Sequence, residues 1–177
     1  SNSGNEWAAL VATALNGGQP ATAESVARDA DMIRAVFQKS GWMETSSEDS
    51  FSQFLTLGEG SKPMMVGYES QVLDLSVNQP DLYRQVKDQL VVAYTTPTEW
   101  STHVLVSLDD NGDKLRDFLK SDDVQRLAWE RHGFRGASQL GTDSASRFGV
   151  PGIAERVPAA VELPGNDAMQ ALIAAVK

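Results

Sequence analysis

The chain contains no cysteine, which excludes disulfides and thiolate metal sites but leaves the compartment open. Histidine is nearly absent: His103 and His132 are the only two in 177 residues. Two isolated histidines make a poor metal site, and His132 closes a helical pattern, where a histidine ordinarily serves the helix dipole. No run of about 18 apolar residues occurs, so no segment reads as a membrane-spanning helix, and the opening residues do not read as a secretion signal. Basic residues are few. Fifteen Lys and Arg stand against 24 Asp and Glu, a formal charge of −9, which argues against nucleic acid as a partner. The acid is spread along the chain and mainly helps solubility. A Gly-x-Ser-x-Gly nucleophile elbow is also missing, and with no assembled nucleophile and base we expect no enzyme. The chain begins at Ser1, so it reads as a processed or cut-down product.

What is present is enough apolar material, 41% of residues, for a core in one domain or two small lobes. The most informative stretch is Pro63–Gln71. Met64-Met65-Val66 reads as a short buried strand, Gly67 permits close backbone approach, and Tyr68-Glu69 place a ring and a carboxylate at its end. In open α/β sheets, ligands sit at the carboxyl ends of strands. The plain alternative is a core strand followed by a helix cap, with Glu69 in solvent. Ser1-Asn2-Ser3-Gly4 is the second such stretch. Hydroxyls, an amide and free N–H groups converge there on a helix start, an arrangement suited to an anion or carbonyl, or simply an N-cap.

Helical spacing covers residues 5–16, with Trp7, Leu10, Val11 and Ala14 as its face. A second helix spans 22–39, with Val26, Ile33, Val36 and Phe37 inward. Ser46–Asp49 open a third, with Phe51, Phe54 and Leu55 buried. Residues 69–77 and a turn begun by Pro80 follow. Leu90–Tyr94 and Thr102–Leu108 read as strands. Asp109–Asp113 form a turn and cap before Leu115, Phe118 and Leu119. Ser121–Asp123 start another helix, carrying Leu127 and Trp129 and stopped at Gly133. Residues 135–165 read as loop. Asn166 caps a final helix with Met169, Leu172, Ile173 and Val176 as a stripe. The fold class is therefore α/β, helix-rich around a mostly parallel sheet. Three strands are few for so many helices, which points to further strands near 42–45 and 160–163 or to a sheet completed by chain not present here.

Two metal-like patterns weaken on inspection. Ser107-x-Asp109-x-Asn111-Gly112 resembles half a calcium loop, but Phe118 stands where the bidentate Glu belongs, so it reads as turn and cap. Asp74-x-Ser76-x-Asn78 departs at its third position from the metal-dependent adhesion pattern and follows a helix rather than a strand.

In order along the chain, Ser1-Asn2-Ser3-Gly4, Val66–Gln71, Val91–Tyr94 leading through Pro97-Thr98 to Thr102–Val106, and Ser121–Phe134 with Ser121, Asp122, Gln125, Gly133 and Phe134 resemble extracellular solute-binding proteins. Their fold is the type II periplasmic-binding-protein-like fold, and they serve ABC-type transporters. The nearest group is the actinobacterial-like one sometimes fused to von Willebrand type A domains. The resemblance covers roughly residues 1–135. It implies a second lobe over 1–90, a crossover and returning part of the first lobe over 91–135, and a loop-rich tail with a helix over 136–177. It implies capture of a small-molecule or ion ligand for an ABC-type permease, no cofactor, and an extracellular, cell-surface or periplasmic place. Asn2, Ser3 and Gly4 would present donors, Tyr68 a ring face or hydroxyl, and Glu69 an acceptor, the helix start facing Glu69 across a cleft mouth. In the family, most of the first lobe precedes the Ser-Asn-Ser-Gly position, so the chain reads as a fragment. Its strand at 102–108 would then be covered by the final helix or by a second copy in a homodimer. The alternative from another class is an extracellular adhesion or protein-interaction domain, divalent-metal dependent.

Overall fold

The computed structural model describes residues 2–40, 44–136, 144–157 and 159–176. In chain order the elements are α1 (Asn2–Leu15), α2 (Ala23–Lys39), α3 (Ser47–Leu57), α4 (Glu69–Asn78), α5 (Pro80–Val86), β1 (Thr98–Glu99), α6 (Asp110–Leu119), α7 (Asp122–His132), a 3-10 turn (Ala145–Phe148), β2 (Ala160–Val161) and α8 (Asn166–Val176). Short polar residues set the helix starts. Thr22 Oγ1 accepts from the Ser25 N–H at 3.1 Å while the Thr22 N–H donates to Ser25 Oγ at 2.9 Å, a reciprocal cap that satisfies two otherwise orphaned donors. Ser46 Oγ accepts from the Asp49 N–H at 3.0 Å, and Asp109 Oδ1 from the Gly112 N–H at 2.8 Å. Gly133 ends α7 in the left-handed region at φ 68°. A Cβ there would lie 2.4 Å from Leu73 Cβ, so glycine serves both the turn and the close approach to α4.

The contacts divide the chain into two compact units. The first comprises Ser1–Gly67, Tyr94–Ser101 and Pro158–Lys177. Its core is a three-helix packing in which Ala8, Ala9 and Ala12 of α1 meet Val26 and Ile33 of α2 and Leu172 of α8. The buried face of α1 is thus made of small residues. Trp7, Leu10 and Val11 are half-buried and Ala14 is exposed, because alanines let the α8 and α2 side chains seat against the helix backbone. Burying Ile33 and Leu172 completely contributes about 1.5–3 kcal/mol each. β1 and β2 pair in parallel, Thr98 opposite Ala160 and Glu99 opposite Val161.

The second unit comprises Tyr68–Ala93 and Thr102–Val157. Leu73, Trp129, Ala145 and Phe148 form its core, with the Trp129 and Phe148 rings edge-on at 4.9 Å. Asn78 Nδ2 donates to the Arg131 carbonyl at 2.8 Å, and Asp74 Oδ1 meets His132 Nδ1 at 2.7 Å, joining α4 to α7. The Tyr83 hydroxyl donates to the Gly149 carbonyl at 3.0 Å.

The strands depart from the sequence expectation. Residues 63–68, 90–94 and 102–108 form no ladder, and Met64 is 86% exposed, Val104 80% and Leu108 92%. Strand propensity in Val, Met and Tyr is realised only where a neighbouring strand supplies hydrogen bonds and packing, and no described segment pairs with these. Among the described residues the fold is accordingly helix-dominated, with one small parallel pair in place of a larger parallel sheet. Of the further strands anticipated, β2 falls within 160–163, while 42–43 lie outside the described residues and 44–45 are not strand. Leu115, Phe118 and Leu127 are exposed instead of facing inward, and Phe51, Phe54 and Leu55 are half-buried. α8 packs on α2 and α1. α8 belongs to the first unit and 102–108 to the second, and Val104, Val106 and Leu108 are exposed.

Candidate functional site

Asn2, Glu6, Ala9 and Thr13 recur on α1 at i, i+4, i+7 and i+11, a single stripe along the helix. Residues 97–101 run antiparallel along this helix. Just past the end of α1, a Cβ on Gly18 would touch Pro97 Cδ at 3.4 Å. Near its start, Ser101 Oγ donates to Glu6 Oε1 at 3.1 Å. Four extended steps span about 13 Å, and Glu6 to Thr13 spans about 10 Å of helix. Glu99 therefore lies midway, alongside the stripe.

The electrostatics of this seam are unusual. Glu6 Oε1 also accepts from Asn2 Nδ2 at 3.0 Å. Both carboxylate oxygens of Glu99 are buried without a hydrogen-bond partner, and so is Thr13 Oγ1, on a residue with no exposed surface. Burial, reinforced by the charge of Glu6, pushes the Glu99 carboxyl up to about 7. From the paired strand β2 come Ala160 and Val161, which bring no charge. A buried donor or acceptor without a partner is destabilising by about 1–3 kcal/mol, so native proteins keep few of them, often at functional positions. The seam thus holds two unpartnered acceptor oxygens on one carboxyl that is close to ionising at neutral pH.

The residues expected from sequence fall in different places. Asn2 belongs to this seam, and Ser3 and Gly4 occupy the half-buried first turn of α1 with bonds of their own. Tyr68 and Glu69 belong to the second unit. The Tyr68 N–H donates to Gln71 Oε1 at 3.0 Å, fixing the start of α4. Glu69 is held by Arg135 through Nε at 2.7 Å and Nη2 at 3.1 Å. Arg135 also donates to the Glu155 carbonyl at 3.0 Å and to the Ala154 carbonyl, and lies over the Trp129 ring at 5.2 Å. The Glu155 side chain accepts from Ser144 Oγ and the Ala145 N–H, both at 2.8 Å, and from the Ser146 N–H at 3.0 Å, and these bonds, Ser144 first, hold its carboxyl below the usual range. The Glu69–Arg135 network is a bidentate structural tie.

Sequence reading missed Glu6, Thr13, Glu99, Ser101 and Arg135. The spacing of 2, 6, 9 and 13 carried a signal for the first two; Glu99 follows Thr95-Thr96-Pro97-Thr98, read as an interruption. The metal-like patterns are occupied by local bonds: Asn78 Nδ2 donates to Asp74 Oδ1 and Ser76 Oγ to the Leu73 carbonyl, both at 2.8 Å, while Ser107 Oγ donates to the Asp109 carbonyl at 2.9 Å. Among the described residues, no three His, Cys, Asp or Glu side chains are grouped to hold a metal. No family model, curated protein or solved structure matches the chain.

Proposed function

We propose that the chain is part of an extracytoplasmic solute-binding protein that captures a small ligand for an ABC-type transporter, with the α1–β1 seam as a ligand-facing site. The observation that carries this reading is the unpartnered Glu99 carboxyl near Glu6 of α1, the helix whose start, Asn2-Ser3-Gly4, the sequence resemblance assigns to ligand contact. A site built of acceptors held in place by Asn2 and Ser101 favours binding over turnover. The exposed apolar residues of 102–108 and of α6 and α7 also favour the two-lobed architecture, since a first lobe would supply the sheet that such faces ordinarily cover.

The same apolar surface favours a second reading, a protein-interaction domain that docks a partner there. A thermal-shift panel of amines, anions, sugars and divalent metals separates the two, because a ligand that binds only the folded chain raises its apparent stability. Solute capture predicts a raised melting temperature with one class of small solute, lost on Glu99→Gln. No response to any solute, with self-association abolished by Val104→Lys, would instead support the interaction domain.

A further inference from the structure

We propose that a second copy of the chain pairs with residues 102–108 of the first, the two segments running antiparallel about Leu105. This stands apart from solute capture, because it concerns a segment of the second unit whereas α1 and β1 belong to the first. Residues 102–108 run without a turn or bend, and none takes a positive φ. Among the described residues, their backbone N–H and C=O groups make no hydrogen bond. Exposure alternates along the segment. Leu105 is 37% exposed and Ser107 half-buried, while Val104, Val106 and Leu108 are 80%, 75% and 92% exposed. A period of two belongs to an extended strand. Its odd-numbered side chains lean on the unit: the His103 ring meets Phe134 edge-on at 5.4 Å, and Ser107 Oγ donates to the Asp109 carbonyl at 2.9 Å. Native proteins ordinarily blunt such an edge with charge or proline, yet Thr102–Leu108 contains no Asp, Glu, Lys, Arg or Pro.

Register, charge and area select the occupant. Antiparallel pairing about Leu105 sets Val104 opposite Val106 and Thr102 opposite Leu108, which gathers the aliphatic side chains of both copies on one face. Parallel pairing in register would set Asp109 and Asp110 against their own copies, between chains that each carry −9. The antiparallel arrangement holds the two Asp109 residues about 27 Å apart, well beyond the screening length of about 10 Å. Val104, Leu105, Val106 and Leu108 expose on the order of 500 Å², so two copies together reach the low end of specific interfaces. The dimer is therefore reversible, with a dissociation constant of roughly 10–100 μM.

The test is sedimentation velocity of the whole chain from about 1 μM to about 1 mM, at low and high salt. The expected result is a monomer–dimer equilibrium that tightens severalfold at high salt, as the repulsion between like-charged copies is screened. Val106→Lys alters a solvent-facing side chain, so it should keep the far-ultraviolet spectrum and weaken the dimer at least tenfold. Because the chain has no cysteine, single cysteines report the register. Opposed residues in an antiparallel pair have Cα atoms about 4.5–5.5 Å apart, within disulfide reach. Leu105→Cys should thus cross-link to its copy under oxidised glutathione at least tenfold faster than Leu108→Cys, although Leu108 is the more exposed. A chain that stays monomeric throughout, or that forms open-ended assemblies, would overturn the proposal and leave solute capture standing. A dimer that persists in Val106→Lys would place the interface elsewhere, and faster cross-linking of Leu108→Cys would overturn the antiparallel register.

Discussion

Glu69 and Glu99 are the same side chain in two units, and their surroundings could hardly differ more. Glu69 is mostly buried and saturated. Arg135 forks onto both its oxygens, and that guanidinium is itself held by two carbonyls and an indole face. Glu99 is half-buried, with both oxygens shielded and unpartnered, and the charge acting on it is that of another carboxylate, Glu6. A bidentate pair with its remaining donors satisfied is a structural joint. An unpaired carboxyl is a standing free-energy cost that a ligand can relieve. The contrast moves attention from the residue that looked like a binder in the sequence to one that did not.

The largest expected effect breaks the saturated side of this contrast. Arg135→Met removes the bidentate guanidinium from the mostly buried Glu69, so it should destabilise the chain by about 3–5 kcal/mol, read from urea unfolding. A change below about 1 kcal/mol would put the pair in the class of surface ion pairs. Next is Gly133→Ala, which forces a left-handed alanine and drives a Cβ into Leu73. It should cost about 2–4 kcal/mol, and an unchanged unfolding midpoint would mean that α4 and α7 are less closely joined than described.

On the unsaturated side, Glu99→Gln should change the pH dependence of stability. Folding raises this carboxyl from 4.5 to about 7, so the folded chain holds the proton more tightly. The stabilisation from that proton is complete below the unfolded value and is lost as pH rises through the folded one. Wild-type melting temperature should therefore fall between pH 5 and pH 8 relative to Glu99→Gln; parallel curves for the two proteins would remove the buried charge from the account. The smallest effect belongs to Thr13→Val. Replacing an unpartnered hydroxyl by a methyl should leave ligand-free stability within about 1 kcal/mol of wild type, or raise it. A larger loss in chemical denaturation would reveal a bond that the hydroxyl makes.

The same contrast shows what the sequence could convey. Helix limits were legible because caps are local chemistry: Thr22, Ser46, Asp109 and Gly133 each act within four residues of themselves. The strand readings at 63–68, 90–94 and 102–108 failed because a strand needs a neighbour, and composition does not say whether one is present. On α1, Trp7 and Leu10 drew the eye as core, whereas the close approach of α8 and α2 selected the alanines. Glu69 was visible as a polar residue after an apolar run, but its partner Arg135 is 66 positions away. Glu99 sat among threonines and a proline, and its oxygens are shielded in a segment tied to α1 and β2, both distant in the chain.

The most direct test follows the Glu99 carboxyl itself by carbon-13 nuclear magnetic resonance of glutamate-labelled chain, assigned with Glu99→Gln. The account predicts a titration midpoint at about 7, because burial and the Glu6 charge disfavour the ionised form. A midpoint near 4.5, the ordinary value for this carboxyl, would contradict it.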